Sequence, residues 1–260
     1  MSAQPVAATL RERRREETLR AIIDAAHARL VTEGAAGLSL RAVARDVGMA
    51  VSALYRYVPS RDDLLTELVV AGFDAQADAV ERAMKNAGDP VGALGAGLWA
   101  YRTWSVEHPA EFGLLHGAPV PGYRPHPRTV AAGARAGDLL ARAVEELCRL
   151  GLVDERGVEQ RVRRLDRATR AEFARNARRR GHELPDAVSA LLSDGFVRLH
   201  SVTVMEVFGQ LGALTARPED YVACLVDGLI ADLLGQAGQT VATTSSSTTR
   251  SRNASTEASR

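Results

Sequence analysis

Residues 38–61 read Leu38-Ser-Leu-Arg-Ala-Val-Ala-Arg-Asp-Val-Gly-Met-Ala-Val-Ser-Ala-Leu-Tyr-Arg-Tyr-Val-Pro-Ser-Arg61. Leu40, Val43, Ala44 and Val47 recur at i, i+3, i+4 and i+7, the spacing of one helix face. Leu54 and Val58 repeat that spacing on a shorter, polar-aromatic segment, leaving Tyr55, Arg56 and Tyr57 to face outward. Gly48 stands between the two patterns. Helices this short cannot form a core by themselves. Joined by a glycine-containing turn, they read as a helix-turn-helix whose second helix enters a DNA major groove.

The flanking sequence supplies the missing core. A longer helix upstream carries Leu19, Ile22, Ile23, Ala26 and Leu30 on one face and stops at Gly34. Ser39 is a good N-cap for the second helix. Ser60 and Asp63 make a capping box for a fourth helix that follows Pro59 and runs to about Met84. Asp89 and Pro90 start the next helix in the same idiom, a cap followed by proline at the first helical position. Four prolines and two glycines between Gly117 and Pro127 require a loop, and helical periodicity returns from about Arg128 to Leu150. Residues 154–180 are helical by propensity and rich in arginine. Two apolar helices, about Pro185–Leu214 and Pro218–Leu234, follow. The fold class is all-α: residues 1–14 read as a flexible basic arm, 15–61 as the helix-turn-helix domain, 62–235 as a longer helical domain, and 236–260 as a disordered Ser/Thr-rich tail.

Charge is distributed unevenly. The chain of 260 residues has a formal net charge of only +1. Residues 1–61 hold ten Arg against six Asp and Glu, a net of +4, and residues 62–150 hold eight basic and twelve acidic residues, a net of −4. The basic excess sits where phosphates would lie. Cys148 and Cys224 lie in apolar helical patterns without metal or redox spacing, as expected of reduced thiols in a cytoplasmic protein. No apolar run is long enough for a membrane span. No cofactor, metal site or catalytic set is expected. His108 and Glu111 share a helix-like spacing near His116 without a convergent ligand set, and Gly92, Gly95 and Gly97 lie in a helical pattern with no preceding strand, so they are no phosphate loop.

The segment Gly48-Met49, Leu54-Tyr55-Arg56-Tyr57-Val58 and Ser60-Arg61, behind a long amphipathic helix, resembles the N-terminal domain of the TetR-type transcriptional regulators. The resemblance implies a three-helix DNA-binding domain, a fourth connecting helix, a helical ligand-binding domain and a homodimer. The sequence departs from the common pattern at four places: Ala50 at the N-cap of the recognition helix, Ala53 where Thr is common, Tyr57 in place of His, and Arg61 in place of Lys. The operator is therefore not legible from the family.

Position and chemistry sort the expected DNA contacts. Ser39, Tyr55, Tyr57 and Arg61 are expected at phosphates, through hydroxyl or guanidinium donors. Arg41, Val51, Ser52, Ala53 and Arg56 are expected at base edges. An arginine there reads guanine bidentately, and Val51 or Ala53 touches a thymine methyl. The last two helices each carry more than one apolar stripe, so a second subunit is expected on one of them, with Leu199, Val202, Val222, Leu225 and Leu229 at the interface. Trp99, Trp104, Phe112, His116, Tyr123, His200, Met205 and Phe208 are the expected lining of a ligand pocket. The resemblance implies a ligand-responsive regulator, expected to be a repressor that a small, largely apolar molecule releases from a palindromic operator. The alternatives are a helical small-molecule-binding protein or enzyme with a borrowed helix-turn-helix, and a ligand-independent regulator or activator. Arg56→Ala is expected to weaken specific DNA binding by roughly 1–3 kcal/mol and to relax sequence preference. Equal loss on every sequence in a binding titration would make Arg56 a phosphate contact instead.

Overall fold

The computed structural model describes residues 10–235, and the expectations for the first nine residues and for 236–260 lie outside them. The described residues form helices and connecting turns, with no strand among them. In order these are α1 (Leu10–Gly37), α2 (Leu40–Asp46), α3 (Val51–Leu54), α4 (Arg61–Lys85), α5 (Pro90–Glu107), α6 (Pro109–His116), α7 (Pro127–Arg149), α8 (Glu155–Arg161), α9 (Arg167–Arg179), α10 (Asp186–Val207) and α11 (218–235). They belong to two compact units. The described residues up to Phe73 form the first with Ala110–Ala132. Asp74–Pro109 and the described residues from Gly133 onward form the second.

The first unit has one core. Ile22 and Ala26 of α1, Leu40, Val43 and Ala44 of α2, Leu54 of α3, Val58, and Leu64, Leu65 and Leu68 of α4 are buried together. The expected inward faces are thus the observed ones. Gly48 makes the turn between α2 and α3 possible. Its φ of 72° lies in the left-handed region that side chains with a Cβ avoid. There its N–H reaches the Arg45 carbonyl at 3.1 Å while Met49 N–H reaches that of Ala44 at 2.9 Å. These two bonds are a Schellman motif, which satisfies the last carbonyls of α2 and turns the chain into α3. At α4 the expected capping box is present: Ser60 Oγ accepts the Asp63 N–H at 3.1 Å and donates to its carboxylate at 2.7 Å.

Residues 110–132 also belong to this unit, although residues 62–235 are expected to form the ligand-binding domain. Phe112 is fully buried. Leu114, Val120 and Tyr123 pack on the same core as the helix-turn-helix. Polar fastenings reinforce the packing. Glu111 meets His27 of α1 at 2.5 Å, Tyr123 meets Thr66 at 3.2 Å, and Arg128 pairs with Glu67 at 2.5 Å.

In the second unit, α5, α7, α10 and α11 enclose a core that includes Leu98, Tyr101, Leu140, Val144, Leu147, Leu191 and Val226. Asp89 caps α5 as expected, accepting the Gly92 N–H at 2.9 Å. Three expectations are corrected. First, α1 begins by Leu10, so Arg11, Arg13 and Arg14 lie on a helix and not on a flexible arm. Second, α10 ends at Val207 and does not reach Leu214, because Gly209 at φ 73° closes it with another Schellman pair. Third, Leu199 and Val222, expected against a second subunit, are 1% and 0% exposed inside the unit's own core. They leave no surface for a partner. Val202, Leu225 and Leu229 are partly buried against that core. Outward apolar residues are Phe196 and Val197 of α10, Phe208 just after its end and Tyr221 of α11.

The arginines of residues 156–180 are largely matched within the unit. Arg164 pairs with Asp194, Arg170 with Glu159, Arg175 with Glu172, Arg178 with Asp186, and Arg180 with Asp138. Pairing of this kind marks a solvated, self-neutralised face.

Arg61 has a task of its own. Its Nε donates to the Leu38 carbonyl at 3.1 Å and its Nη2 to that of Ala35 at 2.8 Å, both part-buried. These bonds tie the start of α4 to the connection between α1 and α2. Arg61→Gln leaves both carbonyls without their donor and is expected to lower stability by about 1–3 kcal/mol. Urea unfolding checks this, and an unchanged midpoint would count against the tie.

Candidate nucleic-acid interface

The residues left outside the first unit's core define the candidate surface. With Leu40, Val43 and Ala44 turned inward, α2 presents Arg41 and Arg45 to solvent. With Leu54 and Val58 turned inward, α3 and the turn after it present Ser52, Tyr55 and Arg56. Val51, Ala53 and Tyr57 are half-buried at the margin. Ser39 holds the N-cap position of α2 in an extended conformation, yet its hydroxyl makes no cap hydrogen bond and is exposed. The surface therefore combines hydroxyl and guanidinium donors with short apolar side chains, and it has no carboxylate between Ser39 and Arg45. Such a surface can meet phosphate oxygens, base-edge acceptors and thymine methyls.

Tyr55 is 48% exposed, so about half of its surface lies outside the core. Tyr57 is partly covered by α1: the Arg15 guanidinium lies 5.4 Å from its ring centre, within cation–π range. The contact also places the basic start of α1 beside the turn after α3. Of the nine expected DNA-contact residues, eight are exposed or marginal on α2, α3 and their flanks. The ninth, Arg61, has two of its donors turned inward.

The periodicity argument missed one positioning contact. Arg29 of α1 grips Asp46, the last residue of α2, through two bonds of 2.5 and 3.0 Å, and reaches Glu33 at 2.7 Å. The Arg29 hydrogen bond holds the Asp46 carboxyl below the usual carboxylate range. The grip fixes the C-terminal end of α2 just before the Gly48 turn. The only trace of it in the sequence is an arginine one turn beyond Ala26 on the edge of the buried face of α1.

The expected pocket residues fall in both units. In the first, Phe112 packs 4.7 Å from His116, which also meets Phe73 edge-on at 5.5 Å, and Tyr123 bonds Thr66. In the second, Trp104 stacks on His108 at 4.8 Å, Arg102 lies over Trp99, and His200 bonds Tyr101. Met205 is partly buried and Phe208 is exposed. A pocket does open in the second unit, with a different lining. Its walls include Leu94 and Leu98 of α5, Leu140 and Val144 of α7, Leu191 and Phe196 of α10, and Leu229 of α11. The sequence expectation rested on aromatic and polar-tipped residues, whereas the observed walls are aliphatic apart from Phe196 and read as core.

Residues 22–68 match the bacterial regulatory proteins of the tetR family, and residues 94–229 match a tetracyclin repressor-like C-terminal domain. An HTH-type transcriptional regulator of Mycobacterium bovis is 45% identical over 127 residues, 46% of this chain and 53% of that protein. The chain thus spans about half the length of that relative. An HTH-type transcriptional repressor of Streptomyces coeruleorubidus is 38% identical over 82 residues, 32% of this chain and 26% of that protein. Among solved structures, a regulatory protein superposes with a TM-score of 0.68 at 28% identity, covering 85% of this chain and 98% of its own. The helix-turn-helix surface and these matches agree: the chain belongs to the TetR family of bacterial transcriptional regulators.

Proposed function

We propose that the protein is a repressor whose dimer grips a near-palindromic operator with two copies of α3, about 34 Å apart or a little more, and that a small, largely apolar effector releases it. The observation that carries the DNA reading is the division of α2 and α3 into a fully buried apolar face and an outward face of hydroxyls and arginines. In this reading Ser39, Tyr55 and Tyr57 meet phosphates. Arg41, Ser52 and Arg56 read base edges, and Val51 and Ala53 touch methyl groups. Arg61 acts mainly by holding the domain together.

Dimerisation is supported by the outward apolar residues on and just beyond α10 and on α11. Val197 of α10 is 56% exposed, Phe208 just beyond its end 45% and Tyr221 of α11 52%, while the other faces of both helices are buried. A second copy would remove that surface from water, and a two-fold axis would match the symmetry of a palindromic site. The repressor assignment is supported by the named role of the Streptomyces coeruleorubidus relative. Effector release is supported by the apolar pocket: a molecule that binds one arrangement of the subunits better than another shifts the population away from the DNA-competent spacing.

Fluorescence anisotropy on the gene's own upstream DNA tests the proposal. Wild-type protein is expected to bind a specific fragment, with affinity falling as salt rises because phosphate contacts release counterions. Val197→Glu is expected to yield monomers in sedimentation at micromolar concentration and to weaken operator binding by at least about tenfold. A wild-type protein that sediments only as a monomer, or that shifts no upstream fragment at low salt, would contradict the proposal.

A further inference from the structure

The pocket of the second unit is selective in a way its lining reveals. Its walls are Leu, Val, Gly and Phe, without a charged or hydrogen-bonding side chain. A polar atom held against those walls would give up water with no replacement partner.

One wall has a second role. Phe196 is 40% exposed, so neighbouring side chains hold its ring only in part. Tyr101 meets the ring edge-on at 5.9 Å, and His200 stacks on it at 5.6 Å. The Tyr101 hydroxyl and His200 Nδ1 are 2.7 Å apart. The Phe196 ring thus touches both the aliphatic pocket and a hydrogen-bonded polar pair. One hydrogen serves the bond between the two atoms, so the Tyr101 oxygen retains acceptor capacity.

The surroundings of the pair are uncharged in effect. Arg102, next to Tyr101 on α5, is bound by Glu206 of α10, the two side chains being 12% and 11% exposed. Its guanidinium also covers Trp99. Arg198 is likewise paired, with Asp232 at 3.1 Å. Burial pushes the Tyr101 phenol up and the His200 imidazole down, so both stay neutral near neutral pH. A carboxylate brought to this place would lose its water and meet no uncommitted guanidinium from these elements, whereas a hydroxyl needs only one hydrogen-bond partner.

Building on the effector-release reading above, we propose that the pocket takes a neutral amphiphile of the aliphatic alcohol class. Its chain lies between α5, α7, α10 and α11, and its hydroxyl donates to the Tyr101 oxygen once the Phe196 ring turns aside. The hydroxyl sets the preference for the alcohol over its hydrocarbon, and the missing cation sets the preference over its acid.

The test uses the full chain and three probes of matched length, n-octanol, n-octane and octanoate. Binding is followed by tryptophan fluorescence and by the thermal unfolding midpoint near neutral pH. Octanol is expected to bind about tenfold or more tightly than octanoate, and more tightly than octane. Tyr101→Phe is expected to remove most of the preference for octanol over octane. Octanoate binding as tightly as octanol, no binding by any probe, or an undiminished octanol preference in Tyr101→Phe would overturn the proposal. The wild-type series decides the charge preference without any variant. DNA binding by the probe-free protein is scored separately, so failure here leaves the α3 reading standing, and loss of DNA binding beside intact octanol selectivity would strike that reading alone.

Discussion

Everything the first unit does depends on anchoring two helices that are too short to stand alone. A helix of seven residues and one of four fall well below the length at which isolated helices persist in water. They exist because Leu40, Val43, Ala44, Leu54 and Val58 bury their side chains against α1 and the start of α4. Removing one such side chain, Leu54 for instance, forfeits burial and leaves a void, at about 2–5 kcal/mol. The outward side chains gain their orientation from that burial. Arg41 and Arg56 can be offered in one fixed geometry only because the opposite faces of α2 and α3 are locked.

Packing sets which face points in, and polar contacts set where each helix stops. The Gly48 Schellman turn, the Arg29 grip on Asp46 and the Arg61 bonds to the Ala35 and Leu38 carbonyls act at three successive junctions, between α2 and α3, α1 and α2, and α1 and α4. Most of these contacts bind a charge or backbone group that would otherwise be left at a helix end. The second unit shows the same division of labour. Its core is aliphatic, and its many arginines are matched by carboxylates at the surface, where each pair contributes little to stability but leaves no large uncompensated basic patch.

Much of this was legible in the sequence, for reasons that differ by residue. Gly48, Ser60, Asp89 and Pro90 are punctuation whose local chemistry allows few other conformations, and each stands where expected. The inward faces of α1 to α3 follow from helical period. Period cannot say against which partner a stripe is buried, and there the expectations diverged. Leu199 and Val222 belong to an apolar stripe that faces the chain's own core, while Val197, Phe208 and Tyr221 face out. Residues 110–132 join the first unit through Phe112 and Leu114, a tertiary contact without a sequence signature. Arg61 looked like a phosphate ligand by position, but carbonyls brought near by the fold receive two of its donors. The pocket was the least legible feature. Aliphatic residues lining a gap and aliphatic residues filling a core have the same pattern, and only coordinates distinguish them.

The central claim is that the outward face of α2 and α3 is the surface that reads DNA. Amide hydrogen exchange on the full chain, with and without a bound upstream duplex, tests it most directly. The account gives slowed exchange concentrated in residues 39–58, with the arginine-rich helix α9 unchanged. Protection centred on α9, with residues 39–58 unaffected, would contradict it.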